Sequence, residues 1–377
     1  MVPFPSATTI LQVLPRLDAG GVERGTVEMA QAITAAGGQA LVASAGGRLV
    51  PSVERAGGRH VTLPLSGKGP WTIWRNGLRL ARLLRSGGVN IVHARSRAPA
   101  WSAQRAARRV GVPFVTTYHG VYNENGPGKR WYNSVMASGD RVIAISRWVA
   151  NHLVERHGTD PTRVRIIPRG VDPVIFDPAR VAPDRMARLI RAWRLPDGAP
   201  VVMLPARLTR WKGQTVLLDA MARLRNRDAV CVLLGDGRPG FAKELSDQAH
   251  ALGIADRLRL VGHCEDMPAA LMVASVAVSA SVEPEGFGRA VIEAQAMGRP
   301  VVATDHGGAA ETVEDLVTGW HVRPRDPDGL AAVIDVALSM AAADRDALGE
   351  RARASVLAHY TTAAMQAATL DVYRELL

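Results

Sequence analysis

Short apolar runs alternate along the chain with longer stretches in which apolar residues recur every three or four positions. The short runs predict strands, and their continuous apolar character indicates parallel sheets covered on both faces. The longer stretches predict amphipathic helices, at 21–36, 71–85, 98–109 and 147–157 in the first half. The predicted strands are 8–14, 39–43, 91–93, 113–117, 141–145 and 164–167, then 201–205, 230–234, 258–261, 276–279 and 300–304.

The predicted strands and helices form two series, and the second begins after residue 195. Pro173, Pro178 and Pro183 interrupt regular structure between the two series. Two such series predict an α/β protein with two doubly wound, Rossmann-like parallel-sheet domains. We place the domains at residues 1–172 and 173–360. Residues 361–377 predict a final amphipathic helix.

Composition narrows the class of protein. Of the 377 residues, 47% are apolar and 21% are charged, which excludes a disordered or fibrous chain. No apolar run reaches the ~18 residues of a membrane span. The N-terminus has no basic leader before its apolar run, so we expect a first strand there and not a signal peptide. Two cysteines cannot form a disulfide framework, which favours the reducing cytoplasm.

The formal net charge of +11 is unevenly distributed. Residues 1–172 hold 23 Lys+Arg and 9 Asp+Glu, whereas residues 173–377 hold 23 and 26. A basic half favours an anionic partner, which can be a nucleic acid, an anionic membrane surface or a phosphorylated substrate. An arginine-rich coding bias explains the same excess.

Ligands bind open parallel sheets beyond the carboxyl ends of the strands, so the loops that follow strands are informative. Gly20 and Gly21 follow the first strand and open a helix, where paired glycines admit a ligand and the helix N-terminus favours an anion. A plain tight turn is the alternative. His119 follows strand 113–117 and is placed to hydrogen-bond or polarise a substrate.

Two cations, Arg207 and Lys212, follow the first strand of the second series. A guanidinium and an ammonium at a strand end suit a diphosphate, and a solvated basic loop is the alternative. Residues 235–240 match G-x-G-x-x-G, beginning with Gly235, Asp236 and Gly237. They follow a later strand of the series, whereas a dinucleotide fingerprint belongs to the first βα turn, so we favour a glycine turn that shapes a nucleotide site.

The segment 283–293 carries the strongest single signal. Gly286 and Gly288 free backbone amides to face an anion. Glu285 and Glu293 are separated along the chain by ~12 Å at ~1.5 Å per residue, wider than the about 5–10 Å of a glycosidase pair. They suit two sets of sugar hydroxyls, and two exposed helical glutamates are the alternative.

The sequence predicts no metal and no other cofactor. The D-x-D strings at 326–328 and 344–346 precede helix-like segments, and we expect Asp326 and Asp344 to be helix N-caps. No His/Cys spacing is typical of a zinc site.

Taken in order, these loops resemble glycosyltransferase family 4, whose members have the two-domain GT-B fold. The resemblance covers nearly the whole chain. Its most specific element is E-x7-E at 285–293, continued by Ala294–Ala303. The other matching segments are 20–24, 118–120, 167–172, 206–208, 212–213, 235–237, 261–263, 359–360 and 372–374.

The resemblance implies retaining transfer of a sugar from a nucleotide diphosphate donor without a metal, in a cleft that two domains face. The first domain, completed by helix 361–377, would bind the acceptor and the second the donor. Arg207 and Lys212 would neutralise the diphosphate, and Glu293 would hold the ribose. His263 to Met267 would frame the base. Glu285 with the amides of Phe287 and Gly288 would orient the sugar, Gly20 and Gly21 would approach the diphosphate, and His119 would lie near the sugar.

We therefore expect a cytoplasmic hexosyltransferase of cell-envelope assembly, acting on a lipopolysaccharide or exopolysaccharide type of glycan or lipid-linked acceptor. A sugar-nucleotide epimerase or a phosphorylase on the same fold is the nearest alternative. A nucleic-acid or anionic-surface binding protein is the alternative from another class, but we expect no aromatic residues interleaved on a basic stripe.

Helix 71–85 also suggests peripheral docking on the inner membrane. Two tryptophans and four arginines have a spacing that can form an amphipathic basic helix. The alternative is a solvated helix whose tryptophans face inward against the sheet. The residues concerned are Trp71, Trp74, Arg75, Arg79, Arg82 and Arg85.

Overall fold

The computed structural model describes residues 4–5, 8–18 and 20–377. The chain divides into two compact units, Met1–Pro168 with Ala363–Leu377 and Arg169–Thr362. The sequence placed the boundary at residue 172. Across the described part of the chain, no helix combines the length and the apolar character that a membrane span needs.

The first unit contains one seven-stranded sheet in which every pairing is parallel, in the order β3-β2-β1-β4-β5-β6-β7. Its strands are β1 (Thr9–Val13), β2 (Gln39–Ser44), β3 (Arg59–Thr62), β4 (Ile91–Ala94), β5 (Phe114–Tyr118), β6 (Arg141–Ala144) and β7 (Val164–Ile166). Its helices are α1 (Gly21–Ala35), α2 (Val50–Arg55), α3 (Pro70–Ser86), α4 (Arg97–Val110), α5 (Lys129–Ser134) and α6 (Arg147–His157).

The second unit contains a six-stranded parallel sheet in the order β10-β9-β8-β11-β12-β13. Its strands are β8 (Val201–Pro205), β9 (Val230–Leu234), β10 (Leu258–Gly262), β11 (Val276–Ser279), β12 (Val301–Thr304) and β13 (Trp320–Val322). Its helices are α7 (Pro183–Ala192), α8 (Gln214–Arg223), α9 (Pro239–Ala251), α10 (Met267–Val273), α11 (Arg289–Ala296), α12 (Gly307–Ala310), α13 (Pro327–Ser339) and α14 (Ala342–His359).

The strand order reverses once in each sheet, between β1 and β4 and between β8 and β11. The connections that follow the two strands at such a reversal run to opposite faces of the sheet. They leave a crevice at the carboxyl ends of these strands, and ligands of doubly wound folds bind in that crevice. In the second unit, this position falls between the loop that begins at Ala206 and the loop that begins at Ala280.

The last helix, α15 (Thr362–Arg374), returns to the first unit. Leu370 and Val372 of this helix are buried in the hydrophobic core of the first unit. The Tyr373 hydroxyl lies 2.6 Å from His93 Nδ1, and His93 Nε2 lies 2.7 Å from Thr117 Oγ1. His93 therefore links β4, β5 and α15 inside the core.

The fold class predicted from sequence is confirmed, and two strands were missed. Both lie at sheet edges, β3 in the first unit and β13 in the second. The two outer residues of β3 are exposed and the middle two are half-buried, so it lacks the continuous apolar run that marked the central strands. Edge strands are covered on fewer sides, and their sequences carry a weaker signal.

Candidate active site

Lys212 and Glu285 meet at the strand reversal of the second unit. Lys212 ends a short helical turn after β8, and Glu285 lies in the loop that follows β11. Lys212 Nζ is 2.6 Å from Glu285 Oε2, and the two side chains are only 17% and 11% exposed. The sequence singled out both residues, and the tertiary structure pairs them.

Two serines that the sequence analysis missed hold the Glu285 carboxylate. The hydroxyl of Ser281 donates to Oε1 at short range, and that of Ser279 lies 3.3 Å from the same oxygen. Burial alone would raise the pKa of Glu285, but the Lys212 ammonium and the two hydroxyls outweigh it and hold the pKa below its ordinary value. The carboxylate is therefore ionised and fixed in direction. The alternate serines just before Glu285 were the available sequence signal.

The loop around Glu285 is tied to the loop after β12. The carbonyl of Glu285 accepts from the Gly308 amide at 2.7 Å. The Ser281 carbonyl accepts from Thr304 Oγ1 at 3.0 Å and lies 2.7 Å from His306 Nε2. These bonds fix the backbone from which the carboxylate projects.

Gly213 lets the Lys212 loop approach β11. Its φ is +72°, and a Cβ built there would lie 1.8 Å from the Ala280 carbonyl oxygen. Only glycine fits this contact without moving backbone. The Val282 amide donates to the Trp211 carbonyl at 2.8 Å, and Lys212 Nζ lies 4.3 Å from the centroid of the Trp211 ring. The lysine is thus held from both loops.

The predicted glycine turn after β9 packs on the loop that carries Arg207. Gly235 has φ +147°, and a Cβ there would lie 2.3 Å from the Ala206 carbonyl oxygen. The Leu208 amide donates to the Asp236 carbonyl at 2.9 Å. Arg207 is exposed at a cavity of about 520 Å³, which Asp236, Gly237 and Phe241 also line.

Glu293 lies on α11, and Gly288 immediately precedes that helix. Glu293 is 8% exposed, and Arg289 Nε donates to its Oε1 at 3.0 Å. Phe287 is buried and packs edge to face on Tyr360, with ring centroids 5.6 Å apart. Half-buried Gly286 connects Phe287 to Glu285. The alternative of two exposed helical glutamates is therefore wrong, because Glu285 precedes α11 and both side chains are largely buried.

The segment predicted to frame a nucleobase lies between β10 and α10. His263 is exposed, and Met267 is the first residue of α10. Asp266 between them caps that helix, since its Oδ1 accepts from the Ala269 amide at 3.1 Å. Arg185, which the sequence analysis missed, donates two bonds to Asp266 of 2.6 and 2.8 Å and holds the pKa of Asp266 below its ordinary value.

The other predicted site residues belong to the first unit. Gly20 precedes α1 and Gly21 is its first residue, whereas half-buried His119 follows β5. At the strand reversal of this unit the structure adds Arg95, which follows β4 and is only 2% exposed. Its Nη1 donates to Gln12 Oε1 at 3.0 Å, and burial lowers the pKa of Arg95.

The structure confirms the expected helix N-cap in one of the two D-x-D strings and not in the other. Asp326 caps α13 by accepting from the Gly329 amide at 2.8 Å, as expected. The same expectation for Asp344 was wrong, because Ala341 precedes α14 and Asp344 lies within its first turn. A carboxylate in a first turn is still stabilised by the helix dipole.

Three potential metal-ligating residues that are dispersed in the sequence come together in the first unit. The nearest ligand atoms of Glu124, His152 and His157 lie within 4.8 Å of one another. Arg156 Nε pairs with Glu124 Oε2 at 2.8 Å, and the Tyr118 hydroxyl lies 3.1 Å from His157 Nε2. Burial lowers the pKa of both histidines, so they are mainly neutral at pH 7. Arg156 and Tyr118 thus contact two members of this cluster, Glu124 and His157.

Comparison with known proteins agrees with this arrangement. The family model for Glycosyltransferase Family 4 matches residues 19–174, and that for Glycosyl transferases group 1 matches residues 186–355. The D-inositol 3-phosphate glycosyltransferase of Salinispora tropica is 31% identical over 349 residues, which cover 82% of this chain and 72% of that protein.

Solved structures match over nearly the full length. The crystal structure of a glycosyltransferase from Rickettsia africae gives a TM-score of 0.90 at 36% identity and covers 98% of both chains. Anabaena HepE gives a TM-score of 0.84 at 22% identity, and the match covers 97% of this chain and 99% of the HepE chain. At this identity the match shows a similar fold. From the two family models, the relatives and the two parallel-sheet units, the chain belongs to glycosyltransferase family 4 and has the GT-B fold.

Proposed function

We propose that this enzyme transfers a sugar, with retained anomeric configuration, from a nucleotide diphosphate sugar to a phosphate-bearing cell-envelope glycan or lipid-linked acceptor. The observation that carries this proposal is the Lys212–Glu285 pair at the strand reversal of the second unit. It combines a cation for a departing diphosphate with a fixed carboxylate for sugar hydroxyls.

Lys212 and Arg207 supply positive charge for the leaving group. Charge develops on the diphosphate as the glycosidic bond breaks, and preorganised cations stabilise it. The N-terminus of α11, which begins after Gly288, adds backbone amides of the same polarity. We propose that these groups take the place of a divalent metal.

Glu285 and Lys212 exchange partners in this mechanism. Without donor, each is the other's counterion. A bound diphosphate takes over Lys212, and the Glu285 carboxylate then accepts hydrogen bonds from hydroxyls of the transferred sugar. Ser279 and Ser281 keep that carboxylate in place during the exchange. Glu293, on α11, holds the ribose, and the segment from His263 to Met267 frames the base.

Uracil is the first base to test. HepE, which shares the fold at 22% identity, was crystallised with UDP and with UDP-glucose. The match in fold supports a nucleotide diphosphate sugar for this chain, and a donor panel distinguishes UDP from GDP and ADP sugars.

Two observations support a phosphate-bearing acceptor. Residues 1–172 hold 23 Lys+Arg against 9 Asp+Glu. The Salinispora tropica relative, at 31% identity, is a D-inositol 3-phosphate glycosyltransferase and is thus named for a phosphorylated acceptor. A basic domain attracts such an acceptor electrostatically.

The test incubates the purified protein with UDP-, GDP- and ADP-hexoses, with and without EDTA. The acceptors are D-inositol 3-phosphate, a phosphorylated lipid-linked core glycan and the same glycan without its phosphate. We expect one donor and one acceptor to give a product with the donor's anomeric configuration by NMR, at equal rates with EDTA. The Lys212→Met variant loses transfer, and the control Lys243→Met, an exposed lysine on α9, retains it. An epimerised sugar formed without acceptor, transfer only to D-inositol 3-phosphate, or transfer only to the unphosphorylated glycan contradicts the proposal.

A further inference from the structure

The first turn of α3 exposes two tryptophans, and α5 exposes a third. Trp71 is 65% exposed, Trp74 37% and Trp131 67%. Helix α3 instead buries Asn76, Gly77, Leu80, Ala81 and Leu84. At 3.6 residues per turn these residues centre on the side opposite Trp71, and Trp74 lies at their border. The sequence alternative in which these tryptophans face inward is therefore wrong. Three exposed tryptophans leave a large apolar area in contact with water, and burial of that area would be favourable. Such exposed apolar patches are typical of surfaces that bind a partner.

Three of the four arginines of α3 lie on the same side as Trp71. Arg79 lies apart from them, and its Nη1 donates to Asn76 Oδ1 at 3.2 Å. At 3.6 residues per turn, positions 71, 75, 78, 82 and 85 follow one line along the helix. Arg75, Arg82 and Arg85 occupy that line and are exposed. The Arg75 guanidinium lies 5.8 Å from the Trp71 ring centroid.

A groove continues this surface between α3, α4 and α5. It has a volume of about 560 Å³ and is lined by Ile73, Trp74, Trp101 and Trp131, with Arg105 and Arg108 among its cations. Trp131 stacks on Trp101 with ring centroids 4.5 Å apart, and Trp71 stacks on Trp74 at 4.9 Å. We call this surface the tryptophan face; its members are Trp71, Trp74, Trp101, Trp131, Lys68, Arg75, Arg82, Arg85, Arg105 and Arg108.

The charged side chains in and around the tryptophan face are all basic. Residues 55–123 contain twelve Lys+Arg and not one Asp or Glu, and α5 adds Lys129 and Arg130 without an acid. An arginine-rich coding bias accounts for many arginines but not for the missing acids. Aromatic and basic side chains interleave on the tryptophan face, so the expectation from sequence that they do not was wrong. This surface therefore fits a partner that is anionic and also accommodates indole rings.

We propose that the tryptophan face docks the protein on the surface of an anionic phospholipid bilayer. Indole rings partition into the headgroup region of a bilayer, where their apolar body is covered and the N–H stays hydrated. Arginines beside them are attracted to anionic lipids. Each exposed ring already stacks on another tryptophan, which leaves fewer ring faces for nucleobases and favours the bilayer over a single-stranded nucleic acid.

The experiment measures binding of the full-length protein to sedimented vesicles at 100 mM salt, without any sugar donor. Vesicles of phosphatidylcholine alone are compared with vesicles containing 30% phosphatidylglycerol. We expect at least tenfold tighter binding to the anionic vesicles and a blue shift of tryptophan fluorescence. Since no donor is present, the result is independent of the proposed transferase activity.

Matched variants assign the binding to this surface. Trp71→Ser/Trp131→Ser and Arg82→Gln/Arg85→Gln are each expected to weaken binding at least fivefold with unchanged thermal unfolding. Leu316→Ser/Val336→Ser and Arg191→Gln/Arg323→Gln, which alter exposed residues of the second unit, bind like the wild type. Equal binding to both vesicle types, wild-type binding by the tryptophan variant, or displacement by an oligonucleotide at equal charge concentration would overturn the proposal.

Discussion

Lys212 Nζ lies 2.6 Å from Glu285 Oε2, and neither side chain is more than 17% exposed. The two residues follow different strands, β8 and β11, which are neighbours in the sheet only because the strand order reverses there. The pair is therefore a product of topology. We therefore expect both the stability of the fold and the turnover of the enzyme to depend on this pair.

Removing the lysine is expected to reverse the pH dependence that Glu285 contributes. In the wild type the depressed pKa stabilises the fold above the ordinary value of 4.5, and this stabilisation is lost as pH falls through the folded pKa. In Lys212→Met, burial dominates and raises the pKa of Glu285. We expect the free energy of unfolding to fall by about 3–5 kcal/mol at pH 7.5. This loss shrinks as the pH falls toward 5 and the carboxyl group becomes protonated. Urea unfolding at several pH values measures it.

The double variant Lys212→Met/Glu285→Gln provides the control. Without a charge to bury, it should recover more than half of the lost unfolding free energy at pH 7.5. A constant difference between the wild type and Lys212→Met across this pH range would show that Glu285 does not depend on the lysine.

The two glutamates are expected to affect different kinetic constants. Glu285→Gln should lower kcat about 100-fold and leave the Kd of the nucleoside diphosphate within about threefold, because its proposed partner is the transferred sugar. Glu293→Gln should raise that Kd about tenfold through the ribose. Calorimetric titration and steady-state kinetics separate the two effects. If both variants shift the same constant, the division of roles proposed for segment 285–293 is wrong.

Gly213→Ala is expected to lower the free energy of unfolding more than most other glycine substitutions in the second unit. A non-glycine residue at positive φ costs about 1–2 kcal/mol by itself, and the added Cβ also meets the Ala280 carbonyl oxygen. Gly253→Ala, also at positive φ but with no atom within 4 Å of the added Cβ, shows the first cost alone. Thermal or urea unfolding should give at least twice the loss for Gly213→Ala, and equal losses would refute the proposed contact.

The return of α15 to the first unit is testable through one hydroxyl. Tyr373→Phe removes the bond to buried His93 Nδ1, and we expect the unfolding free energy to fall by about 1–3 kcal/mol. Tyr132→Phe is the control, since the described residues offer its buried hydroxyl no hydrogen-bond partner. That control should change stability by less than about 0.5 kcal/mol. Similar losses in the two variants would mean that the His93 bond contributes little.

Several features of the fold and the site followed from local sequence. The continuous apolar runs of β8, β9 and β11 identified central strands with their observed bounds, because a strand covered on both faces tolerates few polar residues. The loops after those strands then had to meet at one edge, since all strands of a parallel sheet end there. Lys212 and Glu285 were identified in this way.

The tertiary structure decided which groups actually touch. The sequence could not pair Lys212 with Glu285 or assign Ser281 and Ser279 to that carboxylate, because such contacts depend on strand order and loop path. It also could not orient α3. The apolar tryptophans of its first turn remain exposed because the helix buries residues from Asn76 onward, and a hydrophobic pattern shows which residues are apolar but not how far the covering neighbours extend.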